Sequence, residues 1–284
     1  MPDPTADGTL FVVATPIGNL GDITARALDT LRACDRVLVE DTRRTRQLLT
    51  FFGVAGKPVQ RLDAHATERD VEEVVARLCA GENLALVTDA GTPGVSDPGE
   101  AVVEAAIDAG VRVVPIPGPS AVFAALVASG LAADGRFRFV GFLPRDGPQR
   151  RVAIGLVCET SEAVILFESP NRTRSTLRDL ADATPARPAC VARELTKVHE
   201  EFVRGALGSL ADDPREWLGE IAIVLGAHRP EERAEAIDEN TIDARIDEAL
   251  ARGEHLRAIA ERLSAWSGRP KRELYGRIVM RKKR

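Results

Sequence analysis

The sequence predicts an α/β protein made of two α/β domains followed by a small helical segment. Short apolar runs alternate with segments of helical period, which is typical of strands joined by crossover helices in a parallel sheet. The chain has 284 residues, of which 44% are hydrophobic, and this exceeds the usual size of a single core. A proline-rich break at 115–119 interrupts the alternation, so we expect domains at 1–118 and 119–226, a linker at 227–240 and a basic helical segment at 241–284.

The first domain is predicted from four apolar runs and from the helical segments between them. The runs are short and β-branched or continuously apolar, like strands buried on both faces, and they lie at 10–14, 37–39, 84–87 and 111–116. Asp22 is expected to cap the first helix, and Asp70 precedes an apolar stripe spaced i, i+3, i+4, i+7. A further helix is expected over 100–109, ended by Gly110.

The second domain is predicted to begin with a helix over 121–129 that Ser120 caps. Beyond it we expect strands at 137–141, 163–167, 189–192, 200–204 and 220–225, and helices at 149–158 and 172–183. No good helical pattern separates the last two strands. Because parallel neighbours need a long crossover, the second sheet is expected to be mixed.

The formal charge is distributed unevenly along the chain. The net charge is −5, yet residues 241–284 hold 12 Lys or Arg against 6 Asp or Glu. A basic segment on an acidic body suits contact with a polyanion. Its apolar stripes predict two or three short helices separated by Gly253 and Gly268, similar to a helix-turn-helix fragment. A solvated helical face is the alternative interpretation.

Cysteine usage and hydropathy argue against several other classes of protein. Cys34, Cys79, Cys158 and Cys190 are dispersed, without a Cys-x-x-Cys pair or a histidine at ligand spacing, so we expect buried reduced thiols and no metal site. No stretch approaches the ~20 apolar residues that a bilayer span needs. The N-terminus lacks the basic and apolar regions of a secretory signal, which predicts a cytoplasmic protein.

One loop has the composition of a ligand site. Residues 89–99 hold three glycines and two prolines directly after an apolar run, and open α/β sheets bind ligands at the carboxyl ends of their strands. The first turn, at 14–22, has neither the Gly-x-Gly-x-x-Gly motif nor the Gly-Lys-Ser/Thr motif of phosphate-binding loops, and Pro16 removes a backbone donor there. Dinucleotides and nucleoside triphosphates are therefore disfavoured. An adenosine ligand without phosphates, such as S-adenosyl-L-methionine, fits better.

Several segments carry a resemblance to a known family. They are Leu10–Thr24, Val39–Arg43, Val87–Gly99, Pro117–Ala121 and Glu168-Ser-Pro-x-Arg172, extended by Ala192–Glu201. In this order they resemble the successive signatures of the ribosomal RNA small subunit methyltransferase I family, which belongs to the tetrapyrrole methylase superfamily. The resemblance runs from about Leu10 to Gly226.

The resemblance implies a fold, a cofactor, a substrate and an assembly. It implies two α/β domains of the tetrapyrrole methylase type with S-adenosyl-L-methionine in the cleft between them, a homodimer, and 2′-O-methylation of a cytidine ribose in the decoding region of 16S rRNA, within the small ribosomal subunit. The residues carried over as cofactor contacts are Pro16, Asp89, Ala90, Gly91, Val95, Ser96, Ser120, Ala121, Phe167, Ala192 and Ala222.

Four residues are candidates for catalysis: Asp41, Arg43, Glu194 and Lys197. A ribose hydroxyl is a poor nucleophile at neutral pH, so a base or a cation that lowers its pKa would speed methyl transfer by ~10² to 10⁴-fold. Lys197 is favoured because desolvation can lower the pKa of a lysine. Each of the four could instead form an ion pair that shapes the cleft, and Asp41 could cap a helix beginning at Thr42.

Two other functions stay open from the sequence. One is a C-methyltransferase acting on a tetrapyrrole precursor, although such an enzyme has no obvious use for the basic segment. The other is a non-catalytic RNA-binding factor that reads RNA with its helical tail. For RNA phosphates the candidate contacts are Arg43, Arg44, Arg46, Arg172 and Arg174.

Overall fold

The computed structural model describes residues 8–63, 65–94, 99–227, 239–267 and 269–282. Within them the chain forms two five-stranded sheets and a C-terminal group of three helices. This is the α/β class that the sequence predicts. The exact domain boundaries stay a prediction, and most of the expected linker at 227–240 lies outside the described residues.

The first sheet is entirely parallel, with the order β3-β2-β4-β1-β5. Its strands are β1 (Thr9–Val13), β2 (Arg36–Val39), β3 (Val59–Arg61), β4 (Leu84–Leu86) and β5 (Arg112–Ile116). Helices α1 (Ala25–Ala33), α2 (Thr42–Phe51), α3 (Glu68–Cys79) and α4 (Glu100–Asp108) connect them, with a 3-10 turn at Leu20–Asp22. Apolar side chains pack on both faces of this sheet, as the continuous apolar runs require.

The helix starts differ in part from the prediction. Thr24, and not Asp22, caps α1 by accepting a hydrogen bond from the Ala27 amide, because Asp22 belongs to the preceding 3-10 turn. Thr67 caps α3, and the Asp70 side chain reaches back to complete a capping box. Strand β3 was missed because it has only three residues and a weak apolar pattern.

The second sheet is mixed, as predicted, with the order β6-β7-β10-β8-β9. Its strands are β6 (Phe137–Phe142), β7 (Ala163–Glu168), β8 (Pro188–Arg193), β9 (Glu201–Ala206) and β10 (Ile221–Leu225). Only β6 and β7 pair in parallel. The helices of this half are α5 (Ala121–Ser129), α6 (Gly147–Glu159), α7 (Pro170–Ala181) and the short α8 (Leu207–Ala211), with a 3-10 turn at Ala133–Gly135.

The C-terminal helices form their own apolar core. They are α9 (Glu239–Ala251), α10 (Leu256–Ser267) and α11 (Lys271–Lys282). Buried Ile242, Ile246, Ile259, Leu263 and Ile278 meet in this core, which confirms the stripes expected from the sequence.

Three of the four cysteines are buried. Cys34, Cys158 and Cys190 are buried and unpaired, whereas Cys79 is exposed at the end of α3, so the expectation of burial is wrong for that thiol. Burial raises the pKa of the three buried thiols.

Across the described segments, every helix is too short or too polar to traverse a bilayer.

Candidate cofactor cleft

A cavity of about 400 Å³ lies between the carboxyl edge of the first sheet and the edge of the second sheet at which β6 and β7 end and β10 begins. Ile17, Ala90 and Ser120 reach it from the loops that follow β1, β4 and β5 of the first sheet. Phe167 and Ala222 reach it from β7 and β10 of the second sheet. A cavity of this size, mostly apolar and with a few polar groups, is typical of a small-molecule site.

Backbone pairing holds the wall formed by the first sheet. Thr15 and Gly91 exchange two hydrogen bonds, with N···O distances of 2.8 and 3.1 Å, and thereby join the loops after β1 and β4. The Thr92 hydroxyl donates to the Pro119 carbonyl at 3.2 Å, which adds the loop after β5. Three separate loops thus form one fixed surface, consistent with a site whose shape exists before the ligand binds.

Five of the eleven predicted cofactor contacts line this cavity: Ala90, Ser120, Ala121, Phe167 and Ala222. Four others lie behind its surface or beside it: Pro16, Asp89, Gly91 and Ala192. Ala192 is fully buried in β8, where it pairs with Ala222. Gly91 acts through its pairing with Thr15. Val95 and Ser96 lie outside the described residues.

Asp89 and Asp41 hold the start of α2. The Asp41 carboxylate accepts hydrogen bonds from the amides of Arg43 and Arg44, which confirms the predicted cap. Asp89 accepts from the Asp41 amide at 3.2 Å and from the Arg44 guanidinium at 3.1 Å. The hydrogen bonds from the α2 amides lower the pKa of Asp41, so it is a weak base. Neither Asp41 nor Arg43 lines the cavity.

Glu194, Lys197 and Glu220 form an ionic cluster beside the opposite wall, and neither Glu194 nor Lys197 is among the lining residues. The Lys197 ammonium lies 2.9 Å from Glu194 and 3.1 Å from Glu220, and Glu220 lines the cavity. Burial alone lowers the pKa of Lys197, but hydrogen bonds to the two carboxylates outweigh it and the pKa is raised. The expectation of a lowered lysine pKa is therefore wrong. Lys197 is a persistent cation and not a base at neutral pH.

Glu194 is held in a conformation that few residues adopt. Its φ is +51°, and that of Thr196 is +64°. Its carboxylate accepts from the Glu220 amide at 2.9 Å and lies where a Gly219 side chain would stand, since a Cβ there would come within 2.3 Å. The Glu220 amide, followed by Lys197, lowers the pKa of Glu194. Strained backbone of this kind clusters at ligand sites.

A contact between the loop after β1 and the loop after β8 closes one side of the cavity. The Asn19 amide donates to the Thr196 hydroxyl at 3.0 Å. Gly18 lies so close that an added Cβ would come within 2.5 Å of Lys197 Cγ. Ile17 and Leu195, the neighbours of these residues, both line the cavity. The contact joins residues 177 positions apart, so no local pattern could have revealed it.

Glu168 is a site residue to which the sequence assigned no role. The residue contributes to the cavity wall at the end of β7, but its side chain is fully buried and accepts from the Ser169 amide at 2.8 Å and the Thr176 hydroxyl at 2.6 Å. Arg172 stands 3.3 Å from it. The Glu-Ser-Pro-x-Arg signature marked the position, but burial of the carboxylate is visible only in the structure.

The lining carries negative and no positive side-chain charge. Among the described residues that form it there are two carboxylates, Glu168 and Glu220, and neither Lys nor Arg. Arg172 lies 3.3 Å from Glu168 and Lys197 lies 3.1 Å from Glu220, so each of these carboxylates already has a cationic partner outside the lining. The described lining thus offers no lysine or arginine side chain to a phosphate group.

Six of the ten lysines and arginines that the structure describes in the C-terminal segment are paired with acidic side chains. Arg252, Arg262, Arg269, Lys271, Arg277 and Arg281 each pair with an acidic side chain of the same three helices. Arg245 stacks on Trp266 at 4.0 Å. Among the described residues this leaves Arg257, Arg272 and Lys282 with neither an acidic partner nor an aromatic contact, so the basic surface is smaller than its composition suggests.

Two of the other arginines predicted to contact RNA phosphates form hydrogen bonds within the protein instead. Arg172 donates to the carbonyls of Leu143 and Pro144, and Arg174 donates to the carbonyl of Arg215. Arg43 and Arg46 are exposed on α2.

Comparison with known proteins places this fold in a family. Residues 9–211 match the family model of the tetrapyrrole (corrin/porphyrin) methylases. A ribosomal RNA small subunit methyltransferase I from Synechocystis is 41% identical over 277 residues, covering 94% of this chain and 96% of the relative. The chain belongs to the ribosomal RNA small subunit methyltransferase I family of tetrapyrrole methylases.

Two further similarities mark the extent of this family's fold. A relative of the same name from Thermotoga maritima is 42% identical, and the match covers 77% of this chain and 98% of that relative. The crystal structure of a uroporphyrin III C-methyltransferase from Thermus thermophilus aligns with a TM-score of 0.55 at 18% identity, covering 77% of this chain and 97% of that chain. At this identity the likeness shows a shared fold only.

Membership of a methylase family confirms S-adenosyl-L-methionine as the expected cofactor. The apolar side chains of the lining suit the uncharged parts of this donor, and a lining whose described residues include neither Lys nor Arg suits a ligand without phosphate.

Proposed function

We propose that this protein is a cytoplasmic methyltransferase that uses S-adenosyl-L-methionine to methylate the 2′-hydroxyl of a cytidine ribose in the decoding region of 16S rRNA, within the small ribosomal subunit. One observation carries the proposal. The cavity between the two sheets has a mostly apolar lining whose described residues include neither Lys nor Arg, in a chain that aligns over nearly its full length with rRNA methyltransferases. Of the predicted cofactor contacts, we propose Ala90, Ser120, Ala121, Phe167 and Ala222 as direct ones.

The chain's own residues act by binding, orientation and electrostatics. The bound donor supplies an electrophilic methyl group. The apolar walls around Phe167 and Ala222 exclude water, and the paired loops of the first sheet fix the donor's position. Aligning the ribose hydroxyl with the methyl group then lowers the entropic barrier to transfer.

Lys197 is the residue we propose to assist the nucleophile. As a cation it lowers the pKa of a nearby ribose hydroxyl and stabilises developing negative charge on its oxygen. Glu194 and Glu220 orient the ammonium group through contacts of 2.9 and 3.1 Å. Asp41 keeps a structural role at the start of α2, and Arg43, exposed beside it, is a candidate for contact with an RNA phosphate.

We also propose a homodimer that buries the outer face of α5. This helix is apolar on all sides, and Phe123 and Val127, four residues apart, are 56% and 72% exposed. A helix that is hydrophobic all round is normally buried. Val127→Asp should give a monomer by analytical ultracentrifugation, whereas Val152→Asp on α6, at a residue that is 63% exposed, should leave the mass unchanged.

Methyl transfer to three classes of acceptor tests the proposed function. Labelled S-adenosyl-L-methionine is supplied with unmethylated small subunits, with naked 16S rRNA, or with a porphyrinogen. Label should enter RNA and not the porphyrinogen. Label in the porphyrinogen would favour the tetrapyrrole C-methyltransferase. An absence of donor binding in calorimetry, together with RNA binding, would favour a non-catalytic RNA-binding factor.

A further inference from the structure

Phe142 presents an exposed aromatic ring at the mouth of the cavity. It lines the cavity and is nevertheless 58% exposed. Deeper inside, Phe167 packs edge-on against Phe139 at a centroid distance of 4.9 Å, while the Phe142 ring lies 5.7 Å from that of Phe167. Phe139 and Phe167 therefore pack against each other, whereas the Phe142 ring remains largely exposed to solvent.

A β-bulge directs this ring towards the cavity. In the pairing of β6 with β7, Phe139 lies opposite Ile165, but Phe142 and not Gly141 lies opposite Phe167. One extra residue in β6 therefore turns Phe142 onto the face that carries Phe139 and Phe167. Gly141 has a φ of +63°, which a side chain there would disfavour.

The residues that follow Phe142 are firmly held, so its exposure does not come from a loose loop. Leu143 is buried, and Arg172 donates to its carbonyl at 2.8 Å. The Pro144 carbonyl accepts from Arg172 and from Arg150, each at 3.1 Å. Arg150 is itself fixed by Asp179. The backbone that carries the ring is thus held in place.

We propose that Phe142 stacks on the base of the nucleotide to be methylated and so orients its ribose towards the methyl donor. This inference rests on the proposed function. A nucleobase offers a flat π-face that matches an exposed phenyl ring at the mouth of the site. Arg145, exposed three residues further along, forms no ion pair within the described residues and is available to a phosphate of the same strand. Phe142 thus acts at the mouth of the cavity as a positioning residue for RNA, and it is not one of the five donor contacts proposed above.

The test compares Phe142→Ala with Phe142→Tyr, using Phe51→Ala as a control for removing an exposed phenyl ring elsewhere, since Phe51 on α2 is 66% exposed. With small subunits as acceptor, kcat/KM should fall by about 10-fold or more in Phe142→Ala, the range expected for loss of one stacked base. Phe142→Tyr and Phe51→Ala should stay within about 2-fold of the wild type. The dissociation constant of S-adenosyl-L-methionine should be unchanged in all three variants.

Three results would overturn this inference. Unchanged kcat/KM in Phe142→Ala, with an active wild type, would leave the proposed function standing and remove the stacking role. A matching loss of donor affinity would make Phe142 a wall of the donor site. A change of mass in ultracentrifugation would make it an interface residue. If the wild type itself transfers no methyl group to RNA, the proposed function fails first.

Discussion

Lys197 shows how its partners decide the chemistry of a single residue. A lysine near an apolar cavity could lose its proton readily, but this one has a carboxylate on either side. The resulting rise in its pKa leaves a cation whose use is electrostatic. The sequence contained all three charged residues, yet it gave no sign that Glu220 lies beside Lys197.

Replacing Lys197 tests its role directly. Lys197→Met should lower kcat at saturating RNA by about 10²-fold, because the nucleophile loses a stabilising charge. Lys197→Arg should recover part of that loss, and donor affinity by calorimetry should change little in either variant. An unchanged kcat in Lys197→Met would remove Lys197 from the mechanism.

The ionic cluster also predicts a pH dependence. The pKa of Glu194 lies below its ordinary 4.5. The contribution of its ionised carboxylate to the stability of the fold is therefore present above that pH and is lost as the pH falls through the lowered value. The pKa of Lys197 lies above its ordinary 10.5, so its effect is complete below that pH and is lost as the pH rises through the raised value. Because neither residue changes its charge between pH 4.5 and pH 10.5, the rate of methyl transfer should show no inflection from either of them in that range. An inflection near neutral pH that disappears in Lys197→Met would contradict the assignment of a permanent cation.

Arg187 is a buried charge whose partners are all backbone carbonyls. Its guanidinium donates to Gly226 and Val157 at 2.8 Å, and to Thr160 and Glu162 at 3.3 and 2.8 Å. It thereby joins the ends of α6 and β10 to the start of β7, and burial lowers its pKa.

Removing this guanidinium should destabilise the second sheet. Arg187→Lys leaves several buried carbonyls without a donor and should lower the free energy of unfolding in urea by about 3 kcal/mol. Arg138→Lys, at an exposed residue paired with Glu162, should change it by less than about 0.5 kcal/mol. Equal stabilities of the two variants would show that the buried contacts are not required.

At the scale of elements, sequence patterns identified most strands and helices but not their contacts. The buried strands β1, β4 and β7 are short apolar runs that periodicity detects. The cap of α1 was misassigned because Asp22 and Thr24 are both good caps and only tertiary context separates them. Of the eleven cofactor contacts that the family resemblance implies, five line the cavity. The loop contacts around Glu194 and the bulge at Phe142 depend on pairing between distant segments.

The contact between the loops after β1 and β8 should control cofactor binding. Gly18→Ala would place a methyl group 2.5 Å from Lys197 Cγ and 3.0 Å from the Leu195 carbonyl, which forces the loops apart. We expect donor affinity, measured by calorimetry, to fall by roughly 10-fold, within the 1–3 kcal/mol cost of overpacking. Gly155→Ala, where an added Cβ meets nothing within 4 Å, should leave the affinity unchanged. Equal affinities in the two variants would exclude a role for this contact.

At the scale of the whole molecule, the C-terminal helices pack around a core that is separate from the two sheets. The cavity is lined by the two sheets, their loops and the first turns of α5 and α7, whereas the C-terminal helices have a core of their own. The Thermotoga relative matches 77% of this chain over almost all of its own length, so a relative of the same name lacks an equivalent of part of the chain.

The C-terminal helices should therefore affect RNA binding and not donor binding. Replacing Arg257 and Arg272 by Gln should weaken binding to small subunits and reduce the slope of log K against log salt by about 1 to 2, since each phosphate contact contributes about 0.7 to 0.9. Deletion of residues 241–284 should have a larger effect in the same direction. Donor affinity should stay constant. An unaltered salt slope in both variants would show that these helices do not contact RNA.

The central claim is that the cavity between the two sheets delivers a methyl group to a ribose of 16S rRNA. Mapping ribose methylation of 16S rRNA, in cells with and without this gene, tests it most directly. The account predicts that a single 2′-O-methylcytidine in the decoding region is lost with the gene and restored by the wild-type protein. Full methylation of that region without the gene, or loss of a base methyl group instead, would contradict it.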